Sequence, residues 1–474
     1  MNLTLFAPEL ILLLGSLLLF FVTLGERKGT LAGNIALLTA IINLVVSFGC
    51  LGQEGSLFFG AYRIDLFSQI FKLVISLGLV VVLLFGRKLK GVRDDVRAEY
   101  FLFLLLSTAG LVMLVSSVEL ITLFVALELS SYSLYLLIPM REEREGLHMQ
   151  MESAIKYVMF GVIATGIMLF GMSYLFGLTG TTYLAQLLPK LQAIGATPAT
   201  MVGIAMVMGG FFFKLAVFPF NFWVPDVYQG ASNETTAFLS SVPKLGAVAI
   251  LIRVTTLAAP AGSALINTLG VLAVCSMFYG NLSALVQKDI KRMLGFSGIA
   301  HAGFIVLGLL TLQGTGYASA MYYIIGYLVM ILACFVVICA VSQDGENVMI
   351  EDLSGLYQRA PLLALTLLIG MFALAGIPPF VGFMGKFFLL SGALKAGHLT
   401  VVILAALNTA IAIFYYLSVV RVAFTADPEG RPAVRVDGAT QAVSIFLMIV
   451  IIALGCMPAK VIDMATVAVK SIIL

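Results

Sequence analysis

The sequence predicts an all-α, polytopic membrane protein with about fourteen transmembrane helices and no β-strands. Of its 474 residues, 61% are hydrophobic and only 11% are charged, and the mean hydropathy is +1.09. A soluble protein of this length needs far more charge to solvate its surface. Apolar runs of about 20 residues, which match the thickness of the hydrocarbon layer, follow one another along most of the chain. The composition favours a partner that is a lipid bilayer and gives no sign of nucleic-acid binding.

The apolar runs predict the individual spans. They lie near residues 5–24, 31–51, 67–86, 99–115, 118–138, 152–175, 203–228, 235–257, 265–285, 292–310, 318–341, 361–396, 400–422 and 439–458. The twelfth run is too long for one straight crossing. The amino terminus lacks the basic segment and the small-residue cleavage site of a removable signal, so we expect the first helix to be retained.

Basic residues alternate between the predicted loops. Sixteen lie in odd-numbered loops (Arg27, Lys28, Arg87, Lys88, Lys90, Arg93, Arg97, Arg141, Arg144, Lys288, Lys291, Arg292, Arg359, Arg421, Arg431 and Arg435) and three in even-numbered loops (Arg63, Lys190 and Lys395). Loops rich in lysine and arginine remain in the cytoplasm. We therefore expect both termini on the opposite, periplasmic side.

Two predicted spans contain prolines. Span seven includes Pro219 and Pro225, and span twelve includes Pro378 and Pro379. A proline inside a helix removes a backbone hydrogen bond and clashes with the preceding turn. In lipid the freed carbonyl groups need a partner, so a broken helix is tolerated only beside protein or water. Ordinary kinks are the alternative interpretation.

The two breaks lie about 160 residues apart, each with a lysine nearby, and each in the fourth helix of a five-helix block. This predicts an internal repeat, and the odd number of helices inverts its second copy across the membrane. The chain then divides into a three-helix segment (1–98), a first five-helix repeat (99–257), a second, inverted repeat (258–424) and a C-terminal helix and tail (425–474).

Seven ionisable residues occur inside predicted spans, where they are costly unless they face the bundle interior or a water-filled cavity. They are Lys72, Glu128, Lys156, Lys214, Lys244, His301 and Lys386. Lysines near span ends can instead extend to the headgroups, and this alternative fits Lys72 and Lys156 best.

Such residues suit a proton relay. Burial disfavours a charged lysine and a nearby carboxylate favours it, so the pair can exchange a proton near neutral pH. Glu128 and Lys214 are the predicted coupled pair. Lys244 would receive the proton, His301 would pass it between the halves and Lys386 would release it. The alternative for His301 is a hydrogen-bonded core histidine.

The five cysteines predict no redox centre. All lie in apolar segments without a Cys-x-x-Cys pair, and the nearest two, Cys334 and Cys339, point to different faces of one predicted helix. That spacing suits neither a disulfide nor an iron–sulfur cluster. We expect all five to be packing residues. Glycines between Gly161 and Gly177 are expected to let helices pack closely.

Two segments carry a family resemblance. Residues 212–231 read FFKLAVFPFNFWVPDVYQGA, and residues 287–294 read QKDIKRML, followed at 297–303 by SGIAHAG. The chain resembles the antiporter-like subunits of respiratory complex I, the NADH–quinone oxidoreductase, over nearly its whole length. The ending VYQGA and the opening Ala7-Pro8-Glu9-Leu10 favour the N type, and the lysine at position 386 argues against the M type.

The resemblance implies a proton-translocating subunit of the bacterial inner membrane, with Glu128, Lys214, Lys244 and Lys386 on the proton path. It also implies a role there for Lys156. The implied partners are an M-type neighbour and small subunits of the membrane arm. NADH, FMN, iron–sulfur clusters and quinone would be bound by other subunits, with no cofactor or metal in this chain.

The sequence departs from the family pattern twice. Asn221 stands where relatives usually carry histidine, and the segment 233–235 stands where they usually carry a proline-containing stretch. Two other functions stay open: a subunit of a multi-subunit Na⁺/H⁺ antiporter, and a scaffold whose buried charges are only structural ion pairs.

Overall fold

The computed structural model describes residues 3–25, 29–143, 148–257, 262–428, 430–431 and 433–472. Three of the basic residues counted in the odd-numbered predicted loops, Arg27, Lys28 and Arg144, lie outside these ranges. The described residues form a helical bundle, which confirms the predicted all-α class. Thirteen of their helices are long and apolar enough to cross a membrane, and one shorter apolar helix belongs to the broken twelfth span.

The N-terminal segment consists of three helices and a small hairpin: α1 (Ala7–Thr23), α2 (Gly29–Gly49), β1 (Gly55–Leu57), β2 (Tyr62–Ile64) and α3 (Leu66–Gly86). The expectation of no strands is wrong here, because Gly60, at φ +86°, lets the chain reverse between the two short strands. Asp65 then starts α3 with a capping box: its carboxylate accepts from the backbone N–H of Ser68, and the Ser68 hydroxyl accepts from the backbone N–H of Asp65.

The region of the first predicted repeat contains seven helices: α4 (Arg97–Ser116), α5 (Leu120–Leu137), α6 (Met149–Thr179), α7 (Leu184–Ile194), α8 (Pro198–Leu215), α9 (Val224–Gly230) and α10 (Asn233–Thr255). Helix α7 was not predicted. At 11 residues it is too short to span a bilayer, and it buries only one face, through Leu184, Leu187 and Leu191.

The remaining helices are α11 (Gly262–Ala284), α12 (Ile290–Leu309), α13 (Gly314–Val341), α14 (Leu356–Arg359), α15 (Pro361–Ala375), α16 (Val381–Lys395), α17 (Leu399–Thr425), α18 (Gly438–Cys456) and α19 (Pro458–Lys470). Each of the fourteen predicted spans thus corresponds to an observed helix or to a broken pair. The bounds differ from the predicted ones by a few residues.

Helices α10, α12 and α13 form the centre of the bundle. Every described residue of α10 is buried, whereas the outer helices α1, α6 and α17 expose large apolar side chains such as Phe21, Phe170 and Phe414. Those outer faces suit contact with lipid chains. Polar groups on the central helices are therefore far from lipid, and they need partners inside the protein.

The two predicted breaks have the same backbone geometry. Helix α8 ends at Ala216 (φ +69°) and α15 ends at Gly376 (φ +87°), both in the left-handed region. The next residue in each break, Val217 or Ile377, donates to the carbonyl five positions earlier. This pattern, a Schellman-type helix end, satisfies part of the freed carbonyls. Its recurrence at an offset of 160 residues supports the predicted internal repeat.

Candidate functional site

Five of the six predicted site residues are buried in the centre of the bundle. Glu128, Lys214, Lys244, His301 and Lys386 are each at most 6% exposed. They lie on α5, α8, α10, α12 and α16, so that both halves of the molecule contribute. Lys244 and His301 are on the central helices α10 and α12, whereas Glu128, Lys214 and Lys386 are on the inward faces of α5, α8 and α16.

Lys214 on α8 reaches α5 within one helical turn of Glu128. Nζ of Lys214 donates to Oγ of Ser131 at 3.0 Å, and Ser131 follows Glu128 by three residues on α5. Residues three apart are neighbours on a helix surface. Oε1 of Glu128 accepts from the Thr165 hydroxyl at 2.8 Å, and no ion pair within 4.0 Å joins the carboxylate to Lys214. The two members of the predicted pair thus lie on the same part of α5, and each has a hydroxyl partner of its own, Ser131 for Lys214 and Thr165 for Glu128.

An aromatic cluster forms one side of this pair. Tyr157 packs against Tyr135, Trp223 and Phe213, with ring centroids 4.9, 4.6 and 5.7 Å apart. Nε1 of Trp223 donates to the carbonyl of Phe213, next to Lys214, at 3.2 Å. The cluster fixes the end of α8 and excludes lipid from the Lys214 ammonium.

Lys244 faces the second half of the molecule. Its ammonium donates to the Gly298 carbonyl at 3.2 Å and to the Tyr327 hydroxyl at 3.3 Å, and it lies 4.9 Å from the centre of the Tyr327 ring. The same ring is 5.1 Å from the imidazole ring of His301. Tyr327 therefore contacts both titratable groups and connects α10 to α12.

His301 has a hydrogen-bond partner on each ring nitrogen. Nδ1 lies 2.6 Å from the Tyr323 hydroxyl, and Nε2 lies 3.0 Å from the Tyr416 hydroxyl. Which atom donates depends on the tautomer. The arrangement fits both interpretations of His301, because phenol groups can hold a core histidine and can also exchange protons with it.

Lys386 is on α16, after the second helix break, and its side chain reaches back to the end of α15, before the break. Its ammonium donates to the carbonyls of Leu374 and Ala375, the last residues of α15, at 3.1 and 2.9 Å. With the offset of 160 residues, Leu374 corresponds to Lys214. The two ammonium groups therefore lie near equivalent points of the two breaks, although they come from different parts of each broken helix.

Lys156 lies elsewhere. Its side chain is 37% exposed at the beginning of α6 and forms ion pairs with Glu152 and Asp226, both at 2.6 Å. Asp226 also pairs with Arg292 at 2.6 Å, so it joins α6, α9 and α12. This position near a span end agrees with the alternative that Lys156 extends toward the membrane surface. Lys156 is thus separate from the five buried site residues.

Lys72 does not extend to the headgroups; that interpretation is wrong. Its side chain is 3% exposed and pairs with the fully buried Glu9 of α1 at 2.6 Å, and the Tyr62 hydroxyl donates to the same carboxylate. Sequence analysis missed Glu9 as a partner, since 63 positions separate it from Lys72. A second missed pair joins Asp65 to Arg253, whose Nη2 lies 2.9 Å from both carboxylate oxygens.

Asn221 is buried within the first break. Neither its amide nitrogen nor its amide oxygen has a hydrogen-bond partner among the described residues. A buried polar group without a partner costs about 1–3 kcal/mol, and internal water is a common partner for such groups. The position that departs from the family pattern is thus a place where water would be favourable.

This arrangement of helices and buried charges matches a known protein family. A family model described as "NADH:quinone oxidoreductase/Mrp antiporter, TM" matches residues 117–412, which include both breaks and all the predicted site residues. The chain belongs to this family. The match spans both halves of the bundle.

Individual members of the NADH:quinone oxidoreductase/Mrp antiporter family are similar over the whole length. The NADH-quinone oxidoreductase subunit N 2 of Opitutus terrae is 52% identical over 97% of this chain and 96% of its own. The protein of the same name from Syntrophobacter fumaroxidans is 39% identical over 100% of both chains.

Solved structures agree in fold with the family assignment. A chain of respiratory complex I from Thermus thermophilus superposes with a TM-score of 0.84 at 31% identity, covering 97% of this chain and 99% of its own. A chain of the Mrp complex from Dietzia sp. gives 0.88 at 22% identity, covering 100% of this chain and 98% of its own. The second likeness shows a shared fold and nothing further.

Proposed function

We propose that the buried row Glu128, Lys214, Lys244, His301 and Lys386 carries protons through this chain, a proton-translocating membrane-arm subunit of an NADH–quinone oxidoreductase. The subunit assignment rests on the full-length relatives and on the complex I chain of the same fold. The relay rests on one observation: each of the five titratable side chains is buried and has only uncharged hydrogen-bond partners among the described residues. These partners include a hydroxyl group, which can pass on a proton, at every position except Lys386, where proton transfer needs water.

Lys244 and His301 support transfer between the halves. Because both contact the ring of Tyr327, a proton on Lys244 can reach the imidazole through a few hydroxyl groups or waters. At the two ends, the helix breaks leave polar backbone near Lys214 and Lys386, and the buried amide of Asn221 favours water beside the first break. Lys156 would act at the entrance to this path, near the end of its span.

Proton movement along such a path must be coupled to a reaction that supplies energy. Moving one charge against a potential of 100 mV costs about 2.3 kcal/mol, so an open channel would dissipate the gradient. We propose that quinone reduction elsewhere in the complex changes the distance or hydration between Glu128 and Lys214. The lack of a direct ion pair within 4.0 Å between these two described side chains leaves room for such a change.

The orientation is part of the proposal. The bias of basic residues places the odd-numbered loops in the cytoplasm and both termini on the periplasmic side of the bacterial inner membrane. We also propose that this chain binds no NADH, flavin, iron–sulfur cluster or quinone itself. The iron–sulfur part is supported by the cysteines, of which only Cys334 and Cys339 share a helix, α13, and by the lack of any metal-binding group of three or more His, Cys, Asp or Glu among the described residues.

The alternative of a Na⁺/H⁺ antiporter subunit has weaker support. The family description covers both kinds of protein, but the Mrp structure is only 22% identical, whereas the relatives at 52% and 39% are named subunit N of NADH-quinone oxidoreductases. Copurification of peripheral redox subunits with this chain would favour the oxidoreductase, and copurification of small antiporter subunits would favour the alternative.

The test uses the complete complex in inside-out membrane vesicles. Lys214→Ala and Glu128→Gln are each expected to reduce NADH-driven acidification of the vesicle lumen by about tenfold or more, because proton transfer loses a positioned acid or base. Lys395→Ala, at an exposed lysine on α16, is the matched control and should pump normally.

The scaffold alternative makes the opposite prediction. If the variant complexes assemble in normal amounts and acidify the lumen at the rate of the unmodified complex, the buried charges are structural and the relay is wrong.

A further inference from the structure

Glu234 is a buried carboxylate outside the predicted row. It lies in the first turn of α10 and is 4% exposed. One carboxylate oxygen, Oε1, accepts from the backbone N–H of Lys90 at 3.2 Å, whereas Oε2 has no hydrogen-bond partner among the described residues. A structural role at a helix N-terminus, where a negative charge is favourable, explains the position but not the unpartnered oxygen.

The unpartnered carboxylate borders a small cavity. The cavity has a volume of about 40 Å³, and Glu234 lines it together with Lys88 and Asp437. These two form an ion pair at 2.9 Å with side chains 68% and 42% exposed. A water needs about 10–15 Å³ of such volume, so the cavity can hold water between the carboxylate and the cytoplasmic loops.

Charged and titratable groups surround Glu234 on every packed element. They are Lys88 and Lys90 before α4, Tyr100 on α4, Lys291 on α12, Cys339 on α13, and Arg435 and Asp437 before α18. The buried ammonium of Lys291 donates to the Ala231 carbonyl at 2.8 Å, and that of Lys90 donates to the Ser342 carbonyl at 2.8 Å. No ion pair within 4.0 Å joins either ammonium to Glu234, whose charge is therefore not fixed by a direct partner.

Glu234 and Lys244 are on the same buried helix. They are ten residues apart, which is about 15 Å along the axis. Ser241 lies seven residues after Glu234 and three before Lys244, so its hydroxyl is on the face between them, and Ser240 lies four before Lys244 beside it. Both hydroxyls donate to the Ala237 carbonyl and can still accept a hydrogen bond. Every residue of α10 is buried, so this polar row lies inside the protein.

We propose that Glu234 is a cytoplasmic proton-loading residue that feeds Lys244 along α10. The carboxylate takes a proton from water in the cavity, and the proton passes by way of the serine hydroxyls and intervening waters to the Lys244 amine. This inference rests on the proposed relay and on its orientation. It gives a function to the segment 233–235, where the sequence departs from its family's pattern.

The test compares Glu234→Gln with Lys214→Ala in the complete complex in inside-out vesicles, whose outer face is the cytoplasmic one. Glutamine keeps the acceptor for the Lys90 N–H but cannot carry a proton. Glu234→Gln is expected to slow NADH-driven proton uptake by about tenfold and to alter its dependence on external pH, whereas Glu234→Asp restores much of both. A purely structural role would leave the pH profile unchanged.

The two proposals fail in different ways. If Lys214→Ala stops pumping while Glu234→Gln pumps at the normal rate with the normal pH profile, the relay stands and Glu234 is not its loading residue. If both variants pump normally, the relay itself is wrong.

A second measurement needs no variant. A membrane-permeant carbodiimide modifies protonated carboxyl groups, and mass spectrometry locates the adduct in the unmodified complex. We expect labelling of Glu234 to increase as the external pH is lowered, while Glu9, held by Lys72 and Tyr62, is the internal control and stays unlabelled. Absence of pH-dependent labelling at Glu234 would overturn the proposal even if the variants failed to assemble.

Discussion

At the scale of single residues, buried charges in this bundle are of two kinds. Of the first kind are direct ion pairs: Nζ of Lys72 lies 2.6 Å from Oε1 of Glu9, and Arg253 forms a similar pair with Asp65. Glu128, Lys214, Lys244 and Lys386 have only neutral hydrogen-bond partners. A direct ion pair stabilises the charged form of both partners, whereas a group with neutral partners can gain or lose its proton more easily. The second kind is therefore suited to proton transfer.

The Glu9–Lys72 pair is expected to act on stability. Lys72→Met leaves the carboxylate of Glu9 buried without its counter-ion and should destabilise the N-terminal segment by about 3–5 kcal/mol. The double variant Glu9→Leu with Lys72→Met removes both charges and should recover most of that loss. The measurement is the temperature at which the detergent-solubilised complex releases this subunit.

One result would contradict a structural role for the Glu9–Lys72 pair. If Lys72→Met releases the subunit at the normal temperature but abolishes proton pumping, the pair belongs with the titrating residues and not with the structural ones.

The sequence alone identified some of these buried residues but not the partners of others. Lys214 was predicted because a charge beside Pro219 in an apolar run is a strong signal that needs no partner. The pairing of Lys72 was missed because Glu9 comes from another helix, and an acid in the first turn of a helix is unremarkable by itself. The tyrosines around His301 were missed for a similar reason: tyrosine is common in membrane helices, and only the tertiary structure brings Tyr323 and Tyr416 to one imidazole.

At the scale of helices, glycines determine how closely the site helices approach. A Cβ at Gly110 on α4 would lie 2.6 Å from the backbone nitrogen of Ser130 and 2.8 Å from the carbonyl of Ala126, both on α5. These residues flank Glu128. The glycines predicted to allow close packing on α6 differ among themselves: Gly161 and Gly171 contact neighbouring elements, whereas Gly166 has nothing within 4 Å.

Gly110→Ala is expected to displace α5 from α4. Because backbone atoms cannot move aside as a flexible side chain can, the substitution should destabilise the subunit by about 1–3 kcal/mol and disturb the position of Glu128. Subunit release from the solubilised complex on heating measures the change. Gly166→Ala, on a lipid-exposed face of α6, is the matched control and should be neutral or slightly stabilising. Equal behaviour of the two variants would show that the α4–α5 contact is not tight.

The helix pattern itself could be predicted almost completely from hydropathy, including both breaks, because each span is a long apolar run and each break contains proline. Helix α7 could not, because an amphipathic helix of 11 residues lacks the apolar length of a span. The hairpin of β1 and β2 was missed because three-residue strands are too short to show alternation.

At the scale of the whole molecule, the two halves meet in a buried, central contact of α10, α12 and α13. Lys244, Tyr327 and His301 are the polar groups near the middle of this contact. The first half supplies Glu128 and Lys214 at one break, and the second supplies Lys386 at the other. A proton path through both halves must therefore pass this contact, and Lys244 is its first titratable group.

The most direct measurement is the number of protons moved per NADH oxidised by the complete complex in vesicles when Lys244 is replaced by methionine, which has a similar length but no titratable group. A continuous relay predicts that this ratio falls clearly below that of the unmodified complex while the exposed-site variant Lys395→Ala keeps it. An unchanged ratio in an assembled Lys244→Met complex would contradict a proton path across the centre of this chain.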